Sequence, residues 1–185
     1  MKIIVIGATG TIGREVVKAL SADHEVVRIA LKDADIVADI TSKASIESMY
    51  RHVGPFDAVA SPAGYAKFGM LDELTDEDYL MGLTNKLMGQ VNLVRIGRNY
   101  INDNGSFTLT SGVLSQEPMP GSTSLSMVNA AIEGFVRAGG IGDEARGPYQ
   151  RREPDLRHRD CRGYGTHDHP HDSRGKSRAC VQGEH

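Results

Sequence analysis

The chain has 185 residues, of which 39% are hydrophobic and 24% charged, and its formal net charge is −3. This composition is typical of a globular domain with one sizeable core. The slight negative charge argues against nucleic acid as a partner, because phosphate binding needs a clustered basic surface. The longest apolar runs fall short of the roughly 18 residues that a membrane-spanning helix needs, so no membrane association is expected.

The cysteines and the N-terminal segment indicate the cellular compartment of the protein. Only Cys161 and Cys180 are present, so no disulfide framework is predicted and a cytoplasmic location is expected. The opening "MKIIVIGATG" is too short an apolar run, and too rich in glycine, for a signal peptide. It is typical of a buried strand that enters a turn.

Short apolar runs alternate with amphipathic segments over residues 1–138, which is the pattern of βαβ units on a parallel sheet. Strands are predicted at Lys2–Ile6, Glu25–Ala30, Asp35–Ile40, from Asp57 up to Pro62, and at Ser106–Thr110. Helices are predicted at Thr11–Leu20, after Ser42 with an inner face of Ile46, Met49, Tyr50 and Val53, at Asp76–Tyr100, and in the back half of Ser122–Phe135. The predicted fold is therefore α/β, a doubly wound, Rossmann-like parallel sheet.

The composition changes after Ala138. Residues 139–185 contain five of the seven histidines and eight arginines, but only three Val, Ile or Leu residues. No helical or strand period survives there, so the segment is predicted to be an aberrant tail rather than part of the dinucleotide-binding domain at 1–138. The cluster "HDHPH" (His167–His171) lies in this tail and is not predicted to be a metal site.

Three glycines follow the first predicted strand. "IGATGTIG" places Gly7, Gly10 and Gly13 between that strand and the first helix. Glycines allow a tight turn and a close approach to a pyrophosphate, while free N–H groups at the helix N-terminus bind its negative charge. This context predicts a dinucleotide-binding turn.

With these motifs the first 138 residues resemble a short-chain dehydrogenase/reductase. The resemblance depends on "GATGTIG", on "ADI" after the third strand, on "AG" after the fourth and on "NGSFTLTSG" as the fifth. It implies that Asp39 contacts the adenine with Ile40 beside the ring; "SPAG" matches only the second half of the family's third motif. The cofactor-binding residues expected are Gly7, Thr9, Gly10, Thr11, Ile12, Gly13, Lys32, Asp39, Ile40, Ala63 and Gly64.

The end of the second strand indicates which nicotinamide nucleotide is bound. NAD-preferring folds usually place an acid there for the ribose 2′-hydroxyl, whereas this chain has Ala30 and, just beyond, Lys32. A missing carboxylate and a nearby cation favour the 2′-phosphate of NADP. Asp33 argues the other way, so NAD stays open.

The family's catalytic residues are absent from the positions that the resemblance assigns to them. The second serine of the family's pair falls on Gly112, the tyrosine on Leu125, the lysine on Asn129 and the asparagine of the long helix on Lys86. Gly134 falls on the position of a family glycine in the same alignment, which supports the assignment of these four positions. Ser111 is the remaining candidate for binding a carbonyl, with a strand-end cap as the alternative, and Lys86 is a second donor candidate.

The tail matches the family after a shift of reading frame. From Pro148, codons permitted by the sequence can encode Ile-Asn-Val-Val-Ser-Pro when read one nucleotide later, which is the family's next strand and loop. The tail is therefore predicted to be a frameshift product that lacks the C-terminal strands. The predicted sheet order is 3-2-1-4-5-6-7, so loss of the last two strands would expose strand five as an edge and leave a marginally stable protein.

The function predicted is NADP-dependent hydride transfer to or from a small carbonyl or alcohol substrate. The alternatives are a non-catalytic NAD(P)-binding protein and an inactive fragment. The resemblance also suggests a homo-oligomer.

Overall fold

The structure, a computed structural model, describes residues 1–141. Its one sheet contains the strands β1 (Lys2–Ile6), β2 (Glu25–Ala30), β3 (Ile36–Val37), β4 (Phe56–Ser61) and β5 (Ile101–Leu109). The α-helices are α1 (Thr11–Leu20), α2 (Lys43–Val53), α3 (Asp76–Gly82), α4 (Met88–Gly97) and α5 (Thr123–Ile141). A π-helical segment (Leu83–Leu87) joins α3 to α4, and a single 3₁₀ turn (Val113–Ser115) follows β5.

The strands are parallel and in the order β3-β2-β1-β4-β5. This confirms the doubly wound fold and the first five positions of the predicted order. The chain turns outward in opposite directions from β1, so the carboxyl ends of β1 and β4 border a crevice. In open α/β sheets ligands bind in such a crevice. The predicted tail and its missing strands lie outside the described residues.

One face of the sheet packs against α2 and α4. The predicted inner face of α2 is confirmed, because Ile46, Met49, Tyr50 and Val53 are all buried. The Tyr50 ring stacks on Phe56 at 5.2 Å between ring centroids. Its hydroxyl donates to the Leu93 carbonyl oxygen at 2.9 Å, so the one polar atom of this buried ring is satisfied.

Strands three and five differ from the sequence prediction. β3 has two residues instead of six, because the chain leaves the sheet where the Asp39 carboxylate accepts from the Thr41 amide at 2.8 Å. β5 begins at Ile101, five residues earlier than predicted. Its pairing with β4 is interrupted by a bulge, within which Asn104 has a φ of +62°.

The helices after β4 also differ from the prediction. The single helix expected over Asp76–Tyr100 is broken by the π-helical segment and ends at Gly97. The last helix is longer than expected and begins at Thr123, almost at the start of the stretch whose back half was predicted to be helical.

Over residues 1–141 no helix is both long enough and apolar enough to cross a membrane. In the same range no group of three or more His, Cys, Asp or Glu side chains is placed to hold a metal ion. His167–His171 lies outside the described residues.

Candidate functional site

The glycine turn after β1 is closed by backbone contacts. The amides of Gly7 and Ala8 both donate to the Ile29 carbonyl oxygen of β2, at 2.8 and 3.0 Å. Gly7 has a φ of +81°, a conformation that disfavours any residue with a Cβ. A Cβ on Gly13 would lie 2.0 Å from the Gly7 carbonyl oxygen, which is impossible without moving the turn. The turn between β1 and α1 is therefore tight, as the three glycines predicted.

The N-terminus of α1 is suited to an anion. Gly10 is the N-cap residue and has no side chain that could accept from the first-turn amides. Since an α-helix leaves those amides without intrahelical acceptors, they are free to bind an external oxygen. No acidic residue occupies the first turn, so nothing there repels a phosphate. Thr11 and Ile12, predicted cofactor contacts, lie exposed in this turn.

A cavity of about 410 Å³ lies beside the turn, between the start of α1 and the end of β2. Its lining residues are Ala8, Thr9, Arg14, Val17, Arg28, Lys32 and Asp33. Arg28 is bound to Asp35, with 2.6 Å between Nη2 and Oδ1, and the guanidinium holds the pKa of that carboxyl below its usual range. In the described part of the chain neither Arg14 nor Lys32 forms an ion pair.

The two residues expected near the adenine differ in exposure. Asp39 is exposed, and its Oδ1 accepts from both the amide and the hydroxyl of Thr41 at 2.8 Å. Ile40 is only 8% exposed and belongs to the core, where it packs on Gly89 of α4. The structure therefore brings Asp39 to the surface of this loop, while the Ile40 side chain points inward.

The Ala63–Gly64 pair after β4 joins the glycine turn to the other half of the crevice. A Cβ on Gly7 would be 3.0 Å from the Ala63 Cβ, so these two loops are in direct contact. Gly64 has a φ of +132°, and a Cβ there would be 2.6 Å from Lys86 Cγ. Gly64 is thus required for steric reasons, and cofactor binding by Ala63 and Gly64 stays a prediction.

Lys86 and Asn129 contact each other, although 43 residues separate them. The Lys86 Nζ donates to Asn129 Oδ1 at 2.6 Å, and the Asn129 side chain is buried. Burial lowers the pKa of the Lys86 amine. These are the positions where the resemblance implies asparagine and lysine, respectively, so the amide and the ammonium group have exchanged places.

Ser111 lies at the carboxyl end of β5 and faces α5. Its hydroxyl donates to Glu133 Oε1 at 2.7 Å, with a longer contact of 3.2 Å to the Asn129 carbonyl oxygen. The Ser115 hydroxyl makes a second, short hydrogen bond to the same Glu133 oxygen. The hydrogen of Ser111 is therefore used within the protein, which leaves only its lone pairs for a ligand.

Three features of the site were not predicted. Nothing in the sequence indicated a role for Arg14, apart from its position directly after the last glycine of the turn. Glu133 and Ser115 meet only because α5 lies across the end of β5. The Lys86–Asn129 contact could have been anticipated. Lys86 and Asn129 both depart from the family pattern, and the resemblance places these two positions opposite each other.

Comparison with known proteins agrees with this architecture. Residues 2–141 match the family model described as enoyl-(acyl carrier protein) reductase. The hydroxynaphthalene reductase arp2 of Aspergillus fumigatus is 32% identical over 135 residues, which is 71% of this chain and 47% of that protein. A short chain dehydrogenase of Claviceps purpurea is 24% identical over 122 residues, 65% of this chain and 44% of that protein. The chain spans about half the length of these curated relatives.

Solved structures show the same fold. The protein lin1944 from Listeria innocua superposes with a TM-score of 0.75 and 41% identity, covering 76% of this chain and 70% of that one. A small-chain dehydrogenase in complex with NADPH superposes with a TM-score of 0.70 and 27% identity, covering 76% and 64%. The glycine turn, the strand order and these matches lead to one assignment: the chain belongs to the short-chain dehydrogenase/reductase family.

Proposed function

We propose that the protein is an NADP(H)-dependent oxidoreductase that interconverts a small carbonyl compound and its alcohol. The observation that carries this proposal is the juxtaposition of the phosphate turn with a cavity lined by two cations, Arg14 and Lys32, that form no ion pair within residues 1–141. The proposal has three elements: the pyrophosphate site, the choice of nucleotide and the reacting end.

The pyrophosphate fits the turn after β1. Close packing around Gly7 and Gly13 holds the backbone in place, and the uncapped amides of α1 point toward the crevice side of the turn. A Cβ on Gly10 would lie 3.3 Å from the Gly7 carbonyl oxygen, a tighter contact than usual, so the glycine lets the turn stay compact. When bound, the nicotinamide would supply or accept a hydride; the chain's own residues bind and orient it.

The cavity favours the 2′-phosphate of NADP. Arg28 is neutralised by Asp35, but Arg14 and Lys32 add two positive charges against the single carboxylate of Asp33. Guanidinium and ammonium groups bind phosphate oxygens through charge-assisted hydrogen bonds. The related small-chain dehydrogenase that was solved with NADPH supports the same choice.

The test is a pair of binding titrations, with NADPH and with NADH, on the wild-type chain and on Arg14→Ala and Lys32→Ala. Each substitution removes one charge-assisted contact and is expected to weaken NADPH binding by about tenfold, or ~1.4 kcal/mol, with NADH binding unchanged. Lys18→Ala is the matched control, because Lys18 is exposed on α1 and does not line the cavity. Equal affinity for both nucleotides would contradict the NADP assignment. A folded protein that binds neither would contradict the whole proposal.

One observation favours a second function, a non-catalytic NADP-binding protein. Leu125 and Asn129 occupy the positions where the resemblance implies tyrosine and lysine, so the usual acid/base pair is absent. Following NADPH consumption with a panel of aldehydes, ketones and quinones separates the two functions. Binding without turnover of any compound would identify the non-catalytic protein.

A further inference from the structure

Lys86 is a half-buried ammonium group that forms no ion pair in the described part of the chain. The one hydrogen bond found for it goes to the neutral amide oxygen of Asn129, at 2.6 Å. An ammonium group has three N–H donors, so two remain for another acceptor. A half-buried lysine without a carboxylate partner is costly to retain, since desolvation disfavours its charge.

The place of Lys86 in the fold connects it to the crevice. It lies in the π-helical segment and packs against Gly64, at the carboxyl end of β4. The neighbouring Ala63 touches Gly7 of the phosphate turn. On the other side, Asn129 lies against Gly112, just beyond β5, where a Cβ would be 2.8 Å from Asn129 Nδ2. Lys86 is therefore next to the crevice, on the β4–β5 side, opposite the cavity that Lys32 lines.

Two hydroxyl groups near this end of the sheet have hydrogen-bond partners, whereas the buried hydroxyls of Ser61 and Ser124 have none among the described residues. The Ser111 hydroxyl donates to Glu133, and the Tyr79 hydroxyl is within 3.0 Å of the Thr123 hydroxyl. Leu125 has no proton to give. Of Ser111, Leu125 and Lys86, only Lys86 has N–H or O–H hydrogens left for a ligand, and it carries a positive charge that the serine hydroxyls lack.

We propose that Lys86 is a catalytic residue that donates the proton to the substrate carbonyl oxygen, and that Asn129 is the positioning residue that aims it. The inference deepens the proposed function and rests on it. In the direction of reduction, a hydride with its electron pair adds to the carbonyl carbon and the C=O π bond breaks. The oxygen then takes a proton from the Lys86 ammonium group, and the resulting amine regains a proton from water. The products are the alcohol and the oxidised nucleotide, so atoms and charge balance.

The electrostatics of the site suit this role. Burial lowers the pKa of Lys86, which makes the ammonium group a better proton donor near neutral pH than an exposed lysine. The titratable groups on the packed elements have partners of their own. These are Asp78 on α3 with Lys67, Tyr79 on α3 with Thr123, and Glu133 on α5 with Ser111 and Ser115. Tyr65 lies exposed in the loop after β4.

The first test compares Lys86→Met and Lys86→Arg with the wild type. Lys86→Met keeps the side-chain length but removes the proton, and kcat is expected to fall by a factor of about 10² to 10⁴, the usual contribution of general acid catalysis. The NADPH dissociation constant should be unchanged. Lys86→Arg keeps the charge and the contact to Asn129 but holds its proton too tightly, so kcat is expected to stay low. Lys43→Met, at an exposed position on α2, is the control.

The second test uses pH. Because the acid must be protonated for reduction, kcat should decline as pH rises through the pKa of Lys86. Asn129→Asp puts a carboxylate beside Nζ, which favours the ammonium form and should move this decline to higher pH. A purely structural lysine would show no such displacement. Trace labelling of the amines with acetic anhydride, read peptide by peptide over a pH series, measures the same pKa without turnover; the pKa of Lys86 should lie below the usual range of a lysine amine.

The outcomes separate the two proposals. Loss of NADPH binding in the wild type contradicts the proposed function, whatever Lys86 does. Binding of NADPH without turnover by the wild type on the whole panel likewise contradicts the proposed oxidoreductase. If the wild type turns over a compound, two results would each overturn the role of Lys86: turnover by Lys86→Met at the wild-type rate, or labelling of Lys86 in the pH range usual for a lysine amine.

Discussion

Two glycines of the phosphate turn are required for different reasons, and alanine substitutions separate them. A Cβ on Gly13 would collide with the Gly7 carbonyl oxygen at 2.0 Å, whereas a Cβ on Gly10 would sit 3.3 Å from that oxygen. Gly13→Ala is therefore expected to destabilise the fold itself, by about 2 kcal/mol or more, in the range of overpacked sites. Gly10→Ala is expected to fold normally but to weaken NADPH binding, because the methyl group enters the space of the pyrophosphate.

Chemical denaturation and NADPH titration together check this pair. Gly134→Ala is the matched control, since a Cβ at Gly134 in α5 would have no neighbour within 4 Å among residues 1–141. That change should keep NADPH binding intact and raise helix stability by about 0.5–1 kcal/mol. A Gly13→Ala protein as stable as the wild type would show that the turn is looser than its contacts indicate.

At the scale of single residues, the sequence predicts those whose role follows from local geometry. Gly7 and Gly13 are recognisable because a tight strand-to-helix turn excludes any Cβ, whereas the cofactor role of Lys32 stays a prediction. Arg14 and Glu133 depend on which elements pack side by side, and nothing in their local sequence records that. For Ile40 the local motif and the tertiary packing differ. The motif predicts Ile40 beside the adenine, whereas packing buries its side chain in the core.

Among the structural elements, α3 has the clearest local determinant. Thr75 accepts from the Asp78 amide, and the Asp78 carboxylate accepts from the Thr75 amide, which forms a complete capping box. Asp78 also binds the Lys67 ammonium group, which holds the pKa of the carboxyl below its usual value. The predicted start of this helix at Asp76 is confirmed, and a threonine three residues before an acidic residue is a known local signal for such a start.

Thr75→Ala removes one half of the box and is expected to cost about 1 kcal/mol in the free energy of unfolding. Thr75→Ser keeps a hydroxyl at the same position and should lie within a few tenths of a kcal/mol of the wild type, as expected for an equivalent cap. Urea unfolding measures both variants. Equal losses for alanine and serine would mean that the threonine methyl group, rather than its hydroxyl, stabilises the start of α3.

The break between α3 and α4 could not be predicted, because it depends on tertiary contacts. Nothing in "LTNKL" (Leu83–Leu87) departs from ordinary helical sequence. The neighbouring side chains of Asn85 and Lys86 bind the Tyr65 amide and Asn129, respectively. A wider turn at this point serves both contacts, and π-helical turns often mark functional sites for this reason.

For the molecule as a whole, alternation of strands and helices predicted the doubly wound fold, and the order of the first five strands followed from the order usual for that fold. The register and lengths of the outer strands were less predictable. β3 and β5 each pair with one neighbour in the described part of the chain, so their ends depend on side chains such as Asp39 and Asn104 rather than on burial.

The unpaired side of β5 carries the last prediction, which concerns stability and association. Within residues 1–141 no strand covers that side, and Thr108 on it is exposed. An open strand edge is a template for pairing with other chains. The protein is therefore expected to melt below about 60 °C, the upper part of the usual mesophile range, and to aggregate more as its concentration rises.

Thr108→Lys places a charge on the strand and should reduce aggregation, seen by light scattering, without a large change in Tm. The matched control is Thr41→Lys, an exposed threonine away from β5. If both lysine variants aggregate like the wild type, or the wild type melts sharply above that temperature, the edge of β5 is covered in solution.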